Sequence, residues 1–319
     1  MIDLVENEDE LAIAETAAAV LSGQPPADRW KQCAGLGWLA LALPERAGGV
    51  GYGVAAQIVL FRELGRALVT GPFLANALAA HAALESGRAD LGGALADGSV
   101  RAAWAEPAPQ GRVRYWSDGE APGCVLARDL SGAVRLADAA ALTTVGIVRG
   151  VDPAYQLVTA EIGQADSLGE SLSRYLTTAA QVLTAAMLTG IAERTRDMSV
   201  RYATDRVQYG RQIGSFQAVK HRCADMAVRA EAAWAVTSLA AVGLQESLPA
   251  AAFDATAAFS VAGDAALLNA RDNIQNHGAI GFTQEHGAQR YVKRSHVLIS
   301  SFGTTAARRE ALLTAVSPW

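Results

Sequence analysis

Three long helical stretches follow one another in the second half of this 319-residue chain. Apolar residues recur at helical spacing over residues 172–203, 216–244 and 249–278. The third stretch is rich in alanine, whose small side chain lets neighbouring helices approach closely. Shorter helical stretches follow over residues 284–297 and 305–316. These features predict a C-terminal four-helix-bundle domain over residues 166–319.

The first hundred residues predict short helices separated by loops. Asp28, with Ala27 before it, has the character of a helix N-cap, and Gly35 ends the short helix that follows. Three other segments have helical spacing, over residues 11–21, 54–68 and 72–84. We therefore expect an N-terminal helical domain over residues 1–100.

Between these two parts, residues 101–165 have the character of β structure. Proline and glycine separate short runs of β-type residues. Runs 124–130 and 133–137 flank Ser131-Gly132, a pair suited to a hairpin turn, and 155–162 predicts a further strand. The expected fold is therefore mainly α, with a small β domain in the middle of the chain.

Composition and charge narrow the classes of function. Apolar residues make up 51% of the chain and charged residues 18%, which is typical of a globular, helix-rich protein. The formal net charge of −5 argues against nucleic acid or an anionic membrane as the main partner. Cys33, Cys124 and Cys223 lack the spacing of disulfides or metal ligands. Without a secretory pattern or an apolar run of about 20 residues, we expect a soluble cytoplasmic protein.

The segment 201–222 is locally basic although the chain is acidic. It contains five Arg or Lys residues against one Asp. Arg206 and Arg211 flank Tyr209-Gly210, which interrupts the helical spacing, and Phe216-Gln217 stand where a new helix begins. Helix ends with arginine on both sides can hold a phosphate-bearing ligand. The alternative is a solvated basic turn between two helices.

Three motifs distinguish this sequence. The first is in the N-terminal domain, with Gly35-Leu36-Gly37-Trp38, Pro44-Glu45, Gly48-Gly49 and Glu63-Leu64-Gly65-Arg66. The second is Arg206-Val207-Gln208-Tyr209-Gly210 with Ile213 and Phe216-Gln217. The third runs from Ile274-Gln275-Asn276-His277-Gly278 through Ala279-Ile280-Gly281-Phe282-Thr283 to Glu285-His286 and Tyr291-Val292-Lys293-Arg294. Together these motifs resemble the acyl-CoA dehydrogenase family. The resemblance covers both helical domains and implies the fold of that family.

The resemblance also implies a cofactor, flavin adenine dinucleotide (FAD), shared across a subunit interface. In the family, the arginine that matches Arg206 contacts the pyrophosphate of a neighbour's FAD, where a planar guanidinium suits two phosphate oxygens. The other matching positions line the adenosine and pyrophosphate or pack their backbone on the cofactor: Gln208, Phe216, Gln217, Gln275, Gly278 and Ala279. Ala279 replaces a family glycine. Phe216 as a core residue and Gln275 as a helix cap are the structural alternatives.

The catalytic base of the family is missing from its usual positions. In the family a glutamate removes the α-proton of an acyl-CoA thioester while a hydride passes to the flavin. That glutamate precedes a Gly-Thr pair, but here Phe302 precedes Gly303-Thr304. The second family position falls near Ala180, which also lacks a carboxylate. We therefore assign no catalytic residue in this chain.

Four other acidic residues come into question as substitutes for this base. The nearest acids on the helix of Ala180 are Glu193 and Asp197, which we interpret as solvent-facing. Asp152 and Glu285 are alternative bases, although Asp152 has the character of a turn and Glu285 that of a helix start.

The β domain, like the position of the catalytic base, lacks residues that the family uses around the flavin ring. Family members carry Thr-Glu, then Gly-Ser and Trp-Ile-Thr, around the flavin ring, whereas this chain has Trp104-Ala105-Glu106-Pro107 and no Trp-Ile-Thr. The chain therefore resembles the shortened subunits of heterotetrameric actinobacterial steroid-degrading acyl-CoA dehydrogenases. That resemblance implies a full-length partner subunit, a bulky acyl-CoA such as a steroid-derived one, and electron-transfer flavoprotein as electron acceptor.

Two other functions are compatible with the same residues. Flavin-dependent monooxygenases share the fold and lack the glutamate, but they tend to be full-length. A non-catalytic subunit that only completes a partner's fold would not need cofactor ligands such as Arg206. The preserved second and third motifs favour the dehydrogenase.

Overall fold

The computed structural model describes residues 7–22 and 28–314. Its N-terminal part contains helices α1 (Glu8–Leu21), α2 (Arg29–Gly35), α3 (Val54–Arg66), α4 (Phe73–Glu85) and α5 (Ala89–Ala96). Asp28 caps α2 as expected, because its carboxylate accepts a hydrogen bond from the Lys31 amide at 3.1 Å. Ala27 lies outside the described residues. The sequence does not predict α5, whose Gly92 and Gly93 are poor helix formers.

A seven-stranded sheet follows in the middle of the chain. Its strands are β1 (Ala102–Pro107), β2 (Val113–Ser117), β3 (Cys124–Arg128), β4 (Val134–Asp138), β5 (Leu142–Arg149), β6 (Gln156–Ile162) and β7 (Asp166–Ser167). The strand order is β5-β6-β2-β1-β3-β4-β7. β3 and β4 form the predicted hairpin, and β6 is the predicted strand over 155–162. The sequence does not predict β1, β2, β5 and β7. β2 lies between β1 and β3 along the chain and pairs antiparallel with β1, whereas β1 and β3 pair in parallel.

The C-terminal part is a bundle of long helices, and the mainly α fold with a small sheet is confirmed. Its helices are α6 (Glu170–Asp205), α7 (Gln217–Gln245), α8 (Ala251–His277), α9 (Ala288–Ile299) and α10 (Thr305–Thr314). The prediction that Glu285 starts a helix is wrong. Glu285 lies in an exposed turn, and α9 begins three residues later. The predicted end of the last helix, at 315–316, lies outside the described residues.

Two glycines allow α3 and α6 to touch backbone to backbone. A Cβ atom on Gly190 of α6 would lie 1.9 Å from the carbonyl oxygen of Arg62, and one on Gly65 of α3 would lie 2.0 Å from that of Met187. Gly65 belongs to the first family motif, so the crossing explains why a glycine stands there. The N-terminal helices are therefore seated directly on the first helix of the bundle.

An ion-pair cluster lies beside this crossing. The guanidinium of Arg66 lies 2.7 Å from Glu193 and 2.7 Å from Asp197. The side chain of Glu193 is only 13% exposed and that of Asp197 34% exposed. The prediction that these two acids face solvent is wrong, because they pair with an arginine from another part of the chain. Neither carboxylate is available as a free base.

A second buried pair joins all three parts of the molecule. Arg294 of α9 donates from Nε to the carboxylate of Asp152 at 2.6 Å and from a terminal nitrogen to the carbonyl of Val69 at 2.9 Å. Asp152 follows β5, and Val69 follows α3. Both charged side chains are buried, and the guanidinium also lies over the Tyr155 ring. Asp152 therefore has a structural ion pair and does not fit the role of an alternative base.

Three of the described helices are long and apolar enough to cross a membrane by length and composition. They are α6, α7, and α8 together with the turn that follows it. In the folded chain 83% of the apolar window of α6 is buried, whereas the windows of α7 and α8 are 44% buried. The apolar residues of α6 therefore build the core. The expectation that no membrane is a partner stays a prediction.

Candidate functional site

The basic segment between α6 and α7 forms a small exposed hairpin. Arg206 ends α6 in an extended backbone conformation, and β8 (Val207–Gln208) pairs with β9 (Arg211–Gln212). The two turn residues have positive φ, 52° at Tyr209 and 77° at Gly210, as a two-residue type I′ hairpin requires. The sequence predicts only that Tyr209-Gly210 interrupts the helical spacing, and the structure shows that this interruption is the turn of a hairpin. Arg206 and Gln208 are exposed. Gln208 donates from Nε2 to the Val207 carbonyl at 2.8 Å, so the Arg206 guanidinium and the Gln208 amide oxygen face a possible ligand.

An aromatic pair stands between the hairpin and α7. The guanidinium carbon of Arg211 lies 4.1 Å from the ring centre of Phe216, and Tyr209 meets the same ring edge-on at 6.1 Å. Phe216 is half-buried, so it is not a core residue. Tyr209 is 92% exposed and was not among the predicted site residues. A bulky aromatic directly before a turn glycine is the sequence signal that could have identified it.

Helix α7 opens directly behind this pair. It begins at Gln217, and no side chain caps its first turn. The first amides of such a helix carry a partial positive charge and lack intrahelical acceptors. Gln217 is exposed at this end. This arrangement suits an anionic group such as a phosphate.

The second predicted segment lies at the end of α8. Gln275 is exposed in the last turn, and Gly278 ends the helix with a φ of 65° that favours glycine. Ala279 is exposed, so its methyl group, where the family has glycine, is accommodated. Gly281 folds back closely, since a Cβ there would lie 2.7 Å from the carbonyl oxygen of Ile274. This backbone can approach a ligand closely.

Side-chain contacts place the two segments at the same end of the bundle. Tyr202, one turn before Arg206, stacks on His277 with ring centres 4.3 Å apart. Arg222 of α7 donates to the amide oxygen of Asn276 at 2.7 Å. Burial lowers the pKa of His277, whose Nδ1 lies 2.7 Å from the carbonyl of Asn273. A neutral His277 imidazole that donates from Nδ1 satisfies this geometry. The contacts between Tyr202 and His277 and between Arg222 and Asn276 bring together the segments that carry the seven predicted residues.

The positions of the family base lie in the core. Phe302 is 5% exposed and packs edge-on against Phe259 of α8, with ring centres 5.4 Å apart. Trp104 of β1 is a second aromatic neighbour, with ring centres 6.0 Å apart. Ala180 is fully buried within α6. Aromatic rings therefore fill the space between sheet and bundle at Phe302, and neither position holds a group that can take a proton.

Glu106, in the segment that stands where the family surrounds the flavin ring, is also engaged in contacts within the chain. Its carboxylate accepts from the indole nitrogen of Trp104 at 2.8 Å and pairs with Arg128. The chain therefore offers different environments to the nucleotide end and to the flavin ring of an FAD. The adenosine and pyrophosphate fit the exposed donors at the bundle end. The flavin ring does not fit the region of Trp104 and Phe302, which the chain's own side chains fill.

Comparisons with known proteins agree with this architecture. Residues 4–91 match the acyl-CoA dehydrogenase N-terminal domain, and residues 172–316 match the C-terminal domain. The chain is 35% identical over 271 residues to the acyl-CoA dehydrogenase IpdE2 of Mycolicibacterium smegmatis, covering 83% of this chain and 79% of the relative. This protein is therefore a helical enzyme of the flavin-dependent dehydrogenase class. It belongs to the acyl-CoA dehydrogenase family.

Two solved structures share the fold at lower identity. The ChsE4-ChsE5 complex from Mycobacterium tuberculosis superimposes with a TM-score of 0.82 at 22% identity and covers 99% of this chain and 100% of that chain. The Tcur3481-Tcur3483 steroid acyl-CoA dehydrogenase G363A variant has a TM-score of 0.77 at 24% identity and covers 95% and 94%. At these identities the likeness concerns the fold.

Proposed function

We propose that this chain is one subunit of a mixed acyl-CoA dehydrogenase oligomer. In it, Arg206, Gln208, Phe216, Gln217, Gln275, Gly278 and Ala279 contact the adenosine and pyrophosphate of an FAD. A full-length partner subunit holds the flavin ring of the same FAD and carries the catalytic base. The FAD accepts the hydride when the acyl-CoA thioester is desaturated between its α and β carbons. This chain's own residues bind and orient the nucleotide end.

The observation that carries the proposal is the contrast between the two halves of the expected site. The basic hairpin end offers exposed donors, with Arg206 at its base. The position of the family base holds the buried ring of Phe302. A chain with donors for a nucleotide and no base of its own suits a site completed by another subunit.

Exposed apolar side chains support a partner at the same end. Val207, Tyr209, Ile280 and Phe282 are 54%, 92%, 46% and 73% exposed. Large apolar side chains grouped on a surface often mark an interaction site. A partner that brings FAD to this end would cover them, which fits a subunit interface better than an open ligand site.

The nature of the partner and the substrate rests on the structural neighbours. One of them is a complex of two differently named chains, ChsE4 and ChsE5, and another is named a steroid acyl-CoA dehydrogenase. We extend both properties to this chain, with a second, full-length acyl-CoA dehydrogenase subunit as partner and a steroid-derived or similarly bulky acyl-CoA as substrate. Electron-transfer flavoprotein is the proposed electron acceptor, and the cytoplasm the proposed location. A product that gains an oxygen atom would favour the monooxygenase reaction.

Replacing Arg206 tests the proposal directly. In the purified mixed complex, Arg206→Ala should accelerate FAD dissociation about 10- to 100-fold, because a charge-assisted hydrogen bond contributes roughly 1.5–3 kcal/mol. The release of FAD is monitored as a rise in flavin fluorescence. Arg201→Ala is the matched control, since Arg201 is an exposed arginine of the same basic segment on α6. Equal rates for the wild type and Arg206→Ala, with only the oligomer destabilised, would identify a structural subunit.

A further inference from the structure

A polar network lies directly beneath the proposed nucleotide site, between α7 and α8. Arg222 donates to Asn276 at 2.7 Å, and its Nε lies 3.7 Å from the carboxylate of Asp272. Arg229, two turns further along α7, pairs with the same carboxylate and donates to Asn269 at 2.7 Å. Two arginines of one helix are thus held by one carboxylate and two amides of the other.

The two arginines differ in what they hold. Asn276 directly follows Gln275 and lies two residues before Gly278, both of them predicted nucleotide contacts. Arg222 lies five residues after Gln217, at the opening of α7. The bond between Arg222 and Asn276 therefore links the two segments proposed to grip the nucleotide. Arg229 joins the same helices about two turns away from them.

Helix α6 fixes the end of α8 from the other side. The hydroxyl of Ser199 donates to the side-chain oxygen of Asn273 at 3.0 Å, and Tyr202 stacks on His277. Asn273, Asn276 and His277 are all buried. The last turn of α8 is thus held by the helix that leads into the hairpin and by the helix that leaves it.

We infer that Arg222 and Asn276 are positioning residues for the flavin nucleotide, which hold its two binding segments at a fixed separation before the partner subunit arrives. This inference rests on the proposed function of the hairpin end. Arg222 acts through Asn276 and does not itself contact the phosphates. Fixing the two segments in advance reduces the ordering that binding would otherwise require.

The test compares Arg222→Met with Arg229→Met in the purified mixed complex. Both remove an arginine of similar exposure, 32% and 27%, that donates to an asparagine of α8 and lies against Asp272. Arg229→Met, which loses the closer ion pair, should lower the melting temperature at least as much as Arg222→Met. Arg222→Met should raise the FAD dissociation rate about tenfold, and Arg229→Met by less than about twofold. Asn276→Ala, which keeps both arginines, should reproduce the effect of Arg222→Met. Arg222→Lys, which retains one donor for Asn276, should restore part of the retention.

The salt dependence separates positioning from direct phosphate contact. The dissociation rate is measured at about 0.1 M and 1 M salt, where the Debye length is roughly 10 Å and 3 Å. Arg206→Ala should flatten the dependence because it removes a phosphate contact, whereas Arg222→Met should leave it unchanged. Equal dissociation rates for Arg222→Met and Arg229→Met, or wild-type retention in Asn276→Ala, would overturn the inference. If only Arg206→Ala releases FAD, positioning fails and the proposed function stands. If Arg206→Ala has no effect, the proposed function itself fails.

Discussion

Arg294→Leu is expected to destabilise the protein by about 3–5 kcal/mol, because it leaves a carboxylate buried without its counter-charge. That carboxylate is Asp152, 6% exposed, and its partner Arg294 is 2% exposed. The same substitution removes the hydrogen bond to the Val69 carbonyl, so all three parts of the chain lose a common contact. The free energy of unfolding from urea titration, with the melting temperature alongside, measures the effect.

An exposed ion pair provides the control for this substitution. Arg174 and Glu170 pair at 2.7 Å on the first turns of α6, with side chains 67% and 88% exposed. Arg174→Leu should change the stability by less than about 1 kcal/mol. The double variant Arg294→Leu/Asp152→Leu should recover much of the loss, since apolar replacements of a buried pair are often neutral. A loss below about 1 kcal/mol for Arg294→Leu would contradict the claim that the buried Arg294–Asp152 pair holds the three parts of the chain together.

Gly190→Ala is the second substitution with a large expected effect. Helix propensity alone favours alanine over glycine by about 1 kcal/mol. Against this, the new Cβ would lie 1.9 Å from the carbonyl oxygen of Arg62, a backbone atom of the crossing helix α3. Overpacking of a core typically costs about 1–3 kcal/mol, and here the two helix backbones must separate, so we expect a loss of about 3 kcal/mol or more. Urea unfolding of the purified variant checks the value.

Gly93→Ala is the matched control for that steric argument. Gly93 lies on the exposed side of α5, and a Cβ there would have no atom within 4 Å. Alanine should therefore stabilise the protein by up to about 1 kcal/mol at this position. If Gly190→Ala were as stable as Gly93→Ala, the close crossing of α3 and α6 would be contradicted.

Local sequence patterns predict most of the helical architecture and the position of the basic segment. The long helices α6, α7 and α8 have strong apolar spacing, and their predicted ends lie within a few residues of those observed. The cluster of basic residues over 201–222, with a glycine break in it, indicates the segment that forms the hairpin. The family resemblance implies a glutamate before the Gly303-Thr304 pair, and the sequence has Phe302 there. Each of these signals is contained in neighbouring residues.

The features that the sequence does not predict depend on residues far apart in the chain. Glu193 and Asp197 have the pattern of a solvent-facing helix surface, and that pattern gives no sign that both pair with Arg66, more than 120 residues earlier. Asp152 resembles an ordinary turn residue until α9 brings Arg294 to it. The parallel pairing of β1 with β3 has no local signature either. Tyr209 is an exception, because the signal for it lies in neighbouring residues. It occupies a turn position with positive φ, where glycine is usual.

The central claim is that this chain completes a cofactor site together with a different subunit. The most direct measurement is the mass and flavin stoichiometry of the protein purified alone and after co-expression with the product of an adjacent gene. We predict a mixed oligomer with one FAD for each pair of unlike subunits, and no stoichiometric flavin on the chain alone. If the chain alone bound stoichiometric FAD and an acyl-CoA reduced it, the shared site would be contradicted.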